Sequence, residues 1–113
     1  MGTLYVVSTP IGNLEDVTLR ALRVLGEVSA IAAEDTRVTS RLLARHGLRK
    51  PMISYRAPVE RRALGRVLEA LAAGDVALVS DAGTPTLSDP GQALVEAAWA
   101  AAHQVVPSRA RAR

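Results

Sequence analysis

The sequence contains no cysteine and no phenylalanine, and only three of its residues are tyrosine or tryptophan: Tyr5, Tyr55 and Trp99. Without cysteine, the chain cannot form disulfides or thiolate metal sites. The two histidines, His46 and His103, are too few and too far apart for a typical zinc site. Apolar residues still make up 49% of the chain, so we expect a hydrophobic core built from Leu, Val, Ile and Ala.

The sequence also lacks long apolar segments and targeting signals. No apolar run approaches the ~18 residues that a membrane span needs. The opening residues, MGTLYVVSTPIGN, have neither the basic start nor the A-x-A cleavage pattern of a secretory signal, and the myristoylation pattern is missing as well. We therefore expect a cytoplasmic protein, and 113 residues suit one compact domain.

The net charge of +3 comes from the end of the sequence. The first 107 residues contain eleven basic and eleven acidic side chains, so the excess belongs to Arg109, Arg111 and Arg113. A short basic segment such as SRARAR is typical of a solvated, disordered tail rather than of a patch on a folded surface. The charge therefore does not by itself indicate a nucleic-acid-binding protein.

Apolar, β-branched runs alternate with segments of helical periodicity. Five runs predict strands, at residues 3–9, 30–35, 51–55, 75–80 and 103–106. Four intervening segments predict helices: one capped by Asn13 and ending near Gly26, then 37–46, 59–73 and 92–102. The strand at 75–80 is apolar on both faces, which is typical of a central parallel strand. The alternation predicts an α/β fold with a five-stranded, mainly parallel sheet flanked by helices.

Some residues have an ordinary structural explanation. Arg41, Arg45 and Arg49 recur every four residues and predict a basic stripe on the second helix, which could contact phosphates but more commonly is a solvated face. His46 precedes a glycine at a helix end, where interaction with the helix dipole is the commoner role. Trp99 on the last helix is expected to serve in packing rather than as a stacking platform.

Two loops at predicted strand ends have the composition of ligand sites, which in parallel sheets lie beyond the carboxyl ends of strands. In TPIGN, Pro10 and Gly12 shape the backbone and Asn13 begins a helix whose N-terminus favours an anion. In AEDTR, Glu34 or Asp35 could act as a base. The alternatives are a plain strand-to-helix turn for the first loop, and a helix cap with a surface ion pair for the second.

A third loop, SDAGTPTLSDPG at residues 80–91, follows the most buried strand. Gly83 frees its backbone, Pro85 and Pro90 stiffen it, and Ser88 or Asp89 can close a turn. An ordinary connection is the alternative, although a loop of this length and constraint is unusual. The segment matches neither a phosphate-binding loop, nor a dinucleotide fingerprint, nor a nucleophile elbow, which disfavours kinases, ATPases, dehydrogenases and hydrolases.

Three segments, GTLYVVSTPIGNLEDVTLRALRVL, IAAEDTR and VALVSDAGTPTLSDPG, resemble the ribosomal small-subunit RNA cytidine 2′-O-methyltransferases of the tetrapyrrole methylase superfamily. The likeness runs from Gly2 to about Val106 and includes three motifs in order. It implies a two-domain α/β enzyme, usually a homodimer, that binds S-adenosylmethionine between its domains and needs no metal. The implied substrate is a cytidine ribose hydroxyl in 16S ribosomal RNA.

The resemblance also implies site residues. The substrate side, including the catalytic groups, would contain Glu34, Asp35 and Arg37. The cofactor would contact residues from the first and third loops: Pro10, Gly12, Asn13, Ser80, Asp81, Ala82, Gly83, Thr84, Ser88, Asp89 and Pro90.

The sequence departs from this family after the letters VVP. Relatives continue with a proline- and glycine-rich segment and a second domain, whereas this sequence continues with SRARAR. We therefore expect an N-terminal methylase-like domain over 1–107, a disordered basic tail over 108–113 and no second domain. One cleft wall alone is expected to bind S-adenosylmethionine weakly or not at all and to have little or no activity. Two alternatives remain open: a non-catalytic remnant domain that self-associates, and a corrin-type tetrapyrrole methylase.

Overall fold

The computed structural model describes residues 2–9, 17–56, 60–81 and 89–108. Within these ranges, five strands alternate with four helices. The strands are β1 (Thr3–Thr9), β2 (Ala30–Ala33), β3 (Met52–Ser54), β4 (Val76–Asp81) and β5 (Gln104–Ser108). The helices are α1 (Leu19–Glu27), α2 (Thr36–Arg45), α3 (Glu60–Ala73) and α4 (Asp89–Ala100). The predicted order of elements is confirmed.

The five strands form one parallel sheet in the order β3-β2-β4-β1-β5. Strand β4 lies in the centre, where Leu78 is in register with Val6 of β1 and with Ala32 of β2. Parallel neighbours need a crossover, which each intervening helix provides. The prediction of a parallel α/β sheet with a doubly buried central strand is therefore confirmed.

Each face of the sheet has its own hydrophobic layer. Val76 and Leu78 of β4 pack in the layer formed with α3 and α4, whereas Ala77 and Val79 pack in the layer formed with α1 and α2. Successive side chains of a strand alternate between the faces, so a strand covered on both sides must be apolar throughout. This is why residues 76–79 form a continuous apolar run.

Hydrogen bonds connect neighbouring segments of the chain at the edge of the sheet where the strands begin. The backbone N–H of Thr3 donates to Oδ1 of Asp75 at 2.8 Å, and the N–H of Ser29 donates to the Asp75 carbonyl at 2.8 Å. Nδ1 of the buried His103 lies 2.9 Å from the Gly2 carbonyl oxygen. A methyl group at Gly2 would overlap the backbone of Gly74, so these segments pack main chain against main chain. His103 thus has a structural position at the edge opposite to the strand carboxyl ends.

The predicted start of the first helix is wrong. Helix α1 begins at Leu19, and Thr18 is its N-cap, because this residue is extended and its Oγ1 accepts a hydrogen bond from the N–H of Ala21 at 3.1 Å. The expected cap, Asn13, lies outside the described residues. None of the four helices in the described part of the chain has the length and hydropathy needed to cross a membrane.

The third predicted loop is also shorter than expected. Asp81 still belongs to β4, and α4 begins at Asp89 rather than at residue 92. Asp89 and Pro90 therefore form the first turn of α4, where an acidic residue and a proline are both favoured. The segment between the two elements is 82–88 rather than 81–91.

Two further expectations change at the surface. Helix α2 ends at Arg45, with His46 as its C-cap, so Arg49 follows the helix and the predicted three-arginine helical stripe is wrong. Gly47 then adopts a φ of 69°, a left-handed conformation that glycine accepts at a helix end. Trp99 is 60% exposed, so its ring lies outside the hydrophobic core.

Candidate active site

Strand β4 divides the sheet: β2 and β3 lie on one side of it, and β1 and β5 lie on the other. Helix α4, which follows β4, packs on one face, while α1 and α2, which follow the neighbouring strands β1 and β2, pack on the other. Connections that leave neighbouring strands toward opposite faces open a crevice at their carboxyl ends, and ligands of parallel sheets bind at such a point. The topology therefore predicts the site around the end of β4.

Two hydroxyl groups meet at this point. Ser8 of β1 is in register with Ser80 of β4. Ser80 follows Leu78 by two residues, so the alternation along the strand assigns it to the face covered by α3 and α4, and the same holds for Ser8 relative to Val6. Ser80 is buried and Ser8 is half-buried, so Ser80 is largely withdrawn from bulk water and Ser8 is partly withdrawn.

Glu34 adds a carboxylate beside Ser80, at the end of the neighbouring strand β2. Its backbone N–H donates to the Val79 carbonyl at 3.4 Å, which continues the pairing of β2 with β4 beyond the end of β2. Glu34 follows Ala32 by two residues and thus shares the face of Ser80. Neighbouring strands lie about 4.8 Å apart, so a half-buried carboxylate and two hydroxyls occupy a row roughly 10 Å long across three strands. We call Ser8, Ser80 and Glu34 the polar row.

Asp35 has a different environment from Glu34. Its Oδ1 accepts hydrogen bonds from the N–H groups of Arg37 at 3.0 Å and Val38 at 3.4 Å, which makes Asp35 the N-cap of α2. Nε of Arg37 lies 3.8 Å from the same oxygen, and the side chains of Arg37 and Asp35 are 89% and 35% exposed. Such an exposed pair contributes little to stability. The local geometry of Asp35 and Arg37 is thus that of a helix cap with a surface ion pair.

The remaining predicted cofactor residues flank this row in the chain. Thr9 and Asp81 are in register, so the segments that follow β1 and β4 leave the sheet at neighbouring points. Asp89 and Pro90 are at the start of α4. The other predicted cofactor residues lie outside the described residues: Pro10, Gly12, Asn13, Ala82, Gly83, Thr84 and Ser88. Across the described ranges, no group of three His, Asp or Glu side chains has the arrangement of a metal site.

The sequence-based reasoning missed Ser8. Its hydroxyl becomes relevant only because β1 and β4 are neighbours, which local periodicity does not encode. The available signal was the position of Ser8 at the end of a predicted strand, two residues before Pro10. A systematic inspection of polar residues in the last two positions of each strand would have found it.

The comparison with known proteins agrees with this architecture. Residues 3–108 match the family described as Tetrapyrrole (Corrin/Porphyrin) Methylases. Among similar proteins is the "Ribosomal RNA small subunit methyltransferase I" of Borrelia garinii subsp. bavariensis, 56% identical over 105 residues, which are 92% of this chain and 47% of the relative. The proteins of the same name from Pseudomonas aeruginosa and Thermotoga maritima are 53% and 50% identical, over 94% and 88% of this chain and 38% and 45% of their own lengths.

The chain thus spans less than half the length of each of these relatives. The match to the family, in contrast, covers all five strands and all four helices of the described structure. The chain belongs to the tetrapyrrole (corrin/porphyrin) methylase family.

Proposed function

We propose that this chain provides the sheet domain of an S-adenosylmethionine-dependent methyltransferase that methylates the 2′-hydroxyl of a cytidine in small-subunit ribosomal RNA. The observation that carries the proposal is the polar row at the carboxyl end of the central strand, in a member of a methylase family. The names of the relatives favour ribosomal RNA over a corrin-type tetrapyrrole as the substrate.

The polar row has the chemistry that this cofactor requires. The cofactor carries ribose hydroxyls, an ammonium group and a carboxylate, and when bound it supplies an electrophilic methyl group on a positively charged sulfonium. Ser8 and Ser80 can each donate or accept a hydrogen bond, and the Glu34 carboxylate can accept from hydroxyl or ammonium donors. Because Ser80 is buried, a hydrogen bond to its hydroxyl competes little with water and orients its partner firmly. The residues therefore fit the cofactor.

Glu34 is our candidate for the group that accepts the proton of the attacking ribose hydroxyl. Asp35 is less suited to this role, because its Oδ1 already accepts two backbone hydrogen bonds. A carboxylate that is half-buried beside hydroxyls can accept a hydrogen bond from a substrate hydroxyl, hold it in position and take its proton. Arg37 would then contact the RNA rather than the reacting atoms, since its side chain is 89% exposed.

The complete site would need more than this chain. The relatives are more than twice as long as the matched region, and we propose that the activity requires a further domain. We also propose that the active protein is a homodimer and that it acts in the cytoplasm. A self-associating remnant domain without catalysis is the competing proposal. It predicts that the chain binds no cofactor at the polar row.

Cofactor binding can be tested by titrating S-adenosylmethionine into the isotope-labelled chain and following backbone amide shifts by NMR, which detects weak binding. We expect saturable shifts around Ser8, Ser80 and Glu34. Ser80→Ala and Ser8→Ala should each weaken binding about tenfold, which corresponds to one lost hydrogen bond. Ser54→Ala is the matched control, because Ser54 is a half-buried strand serine outside the polar row. Equal losses in all three variants would contradict the proposal, and no shifts in the wild-type chain would favour the competing remnant domain.

The assignment of the base can be tested in a chimeric protein that joins this chain to the part of a relative that follows the matched region, since activity is proposed to require that part. The assay is single-turnover transfer of a labelled methyl group to a small-subunit ribosomal RNA fragment, with the protein in excess. Digestion of the RNA then identifies 2′-O-methylcytidine. Glu34→Gln should slow the transfer by about 100-fold, the usual contribution of a positioned base, whereas Asp35→Asn should slow it less than about threefold. The reverse ranking would assign the proton to Asp35.

A further inference from the structure

Positive charge is concentrated along one edge of the sheet. Residues 36–66 contain nine Lys or Arg residues and a single acidic residue, Glu60, while the rest of the chain contains five basic and ten acidic residues. This segment comprises α2, β3 and the first half of α3, and β3 is an edge strand. The sum over residues 1–107 is zero, which is why the sequence-based reasoning attributed the basic character to the last residues alone.

The arginines of this segment are exposed. On α2, the buried residues Thr39, Leu42 and Leu43 face the sheet, so the outward side of the helix carries the basic groups. We call the exposed arginines of this segment the basic edge: Arg37, Arg41, Arg45, Arg49, Arg56, Arg61, Arg62 and Arg66. Lys50 is not part of it, since its Nζ donates to the Val28 carbonyl at 2.9 Å and is thus held against the fold.

Two depressions run along α2 beside these arginines. One, of about 600 Å³, is lined by Asp35, Thr36, Arg37, Ser40 and Arg41. The other, of about 760 Å³, has Ser40 as a shared wall and continues past Arg49 to β3. Together they follow the helix, whose ten residues span about 15 Å, from the carboxyl edge of the sheet to the opposite edge. The surface is therefore an open basic groove rather than a closed pocket.

We propose that the basic edge binds the phosphate backbone of the RNA whose nucleotide is presented to the polar row. This inference rests on the proposed function, and charge complementarity selects the partner, because a nucleic acid strand presents one negative charge per nucleotide. The groove begins at Asp35 and Arg37, directly after Glu34 in the chain, so a strand bound along α2 reaches the carboxyl edge of the sheet. The polar row lies at the same edge, on the face opposite to α2, so the presented nucleotide has to cross this edge.

The composition of this edge also determines how it recognises RNA. Tyr55, the one tyrosine of the 36–66 segment, is completely buried, so its ring is not available for a base to stack on. Contacts from arginines to phosphates position a strand but do not read its sequence. The basic edge therefore provides affinity and orientation that depend strongly on salt, and it leaves the choice of nucleotide to other parts of the site.

The test compares two variants that lose the same charge. Arg41→Gln/Arg49→Gln removes two arginines of the basic edge, and Arg20→Gln/Arg23→Gln removes two exposed arginines of α1, which lies outside it. Binding of a fluorescein-labelled small-subunit ribosomal RNA fragment is measured by polarisation over a series of salt concentrations. We expect the first variant to bind about tenfold more weakly and its log–log salt slope to fall by about 1.5, whereas the control changes less than about twofold.

Circular dichroism melts of both variants check that the fold is retained. Equal weakening in both variants would overturn the proposal, because it would mean that only net charge matters, and unchanged binding in Arg41→Gln/Arg49→Gln would overturn it as well. The cofactor titration is repeated on the same variants. Loss of RNA binding with intact cofactor shifts supports the basic edge. RNA binding that depends on the basic edge in a chain without cofactor shifts would refute the proposed function and leave the RNA surface standing.

Discussion

Replacing Asp35 tests whether its carboxylate is a helix cap. Its Oδ1 accepts hydrogen bonds at 3.0 and 3.4 Å from two N–H groups at the start of α2, where the first N–H groups have no partner within the helix. Loss of an N-cap side chain costs about 1 kcal/mol, within a range of roughly 0.5–2 kcal/mol. The 3.4 Å bond is long and the carboxylate is 35% exposed, so we expect Asp35→Ala to lower the free energy of unfolding by about 1 kcal/mol rather than 2.

For a domain of this size, that loss lowers Tm by about 4 °C. Asp35→Asn retains an oxygen acceptor and should lose less than half as much. Arg37→Ala removes the 3.8 Å ion pair but leaves the cap, so it should change the free energy of unfolding by less than about 0.5 kcal/mol. Urea and thermal denaturation followed by circular dichroism measure all three. An Asp35→Ala variant as stable as the wild type, or an Asp35→Asn variant as unstable as Asp35→Ala, would refute the reasoning.

Four further substitutions test the fold, all measured by urea denaturation. Gly65→Ala should raise the free energy of unfolding by about 0.5–1 kcal/mol, because Gly65 lies within α3 and an added methyl group meets no atom within 4 Å; Gly47→Ala should lower it by about 1 kcal/mol, because φ is 69° there. If both changes have the same sign, the backbone argument fails. Leu78→Ala, in the middle of the central strand, should cost about 3 kcal/mol, and a loss below about 1 kcal/mol would contradict its complete burial. Trp99→Ser should be nearly neutral, within about 0.5 kcal/mol, and a large loss would show that the ring packs in the core after all.

Most of the fold could be predicted because its signals are local. The boundaries of β1 agree with the apolar run at residues 3–9, and the doubly apolar segment at 75–80 correctly indicated a central strand. The start of α1 could not be predicted, since Asn13 and Thr18 are both competent caps and only the packing of the helix selects Thr18. The exposure of Trp99 was missed for a similar reason: α4 is rich in alanine, so its sequence does not distinguish an inner face from an outer one.

The candidate site, like the fold, could be predicted only in part from the sequence. The resemblance of three motifs predicted Glu34, Asp35 and Ser80 as site residues, but it treated the two carboxylates as equivalent. The structure separates them, because alternation beyond β2 puts Glu34 on the face of Ser80, while Asp35 caps α2. Their roles in catalysis and cofactor binding stay predictions, as do those of the residues in the 10–16 and 82–88 segments.

The sequence by itself determined the class of the fold and the kind of groups at its strand ends, because the alternation of apolar runs and helical periodicity is a property of neighbouring residues. Only the tertiary structure decided that Ser8 lies beside Ser80, and Ser80 beside Glu34. It also gathered the arginines of α2, of α3 and of the segments on either side of β3 along a single edge. Strand order arises from how four helices cover two faces of one sheet, and that packing depends on the whole chain at once.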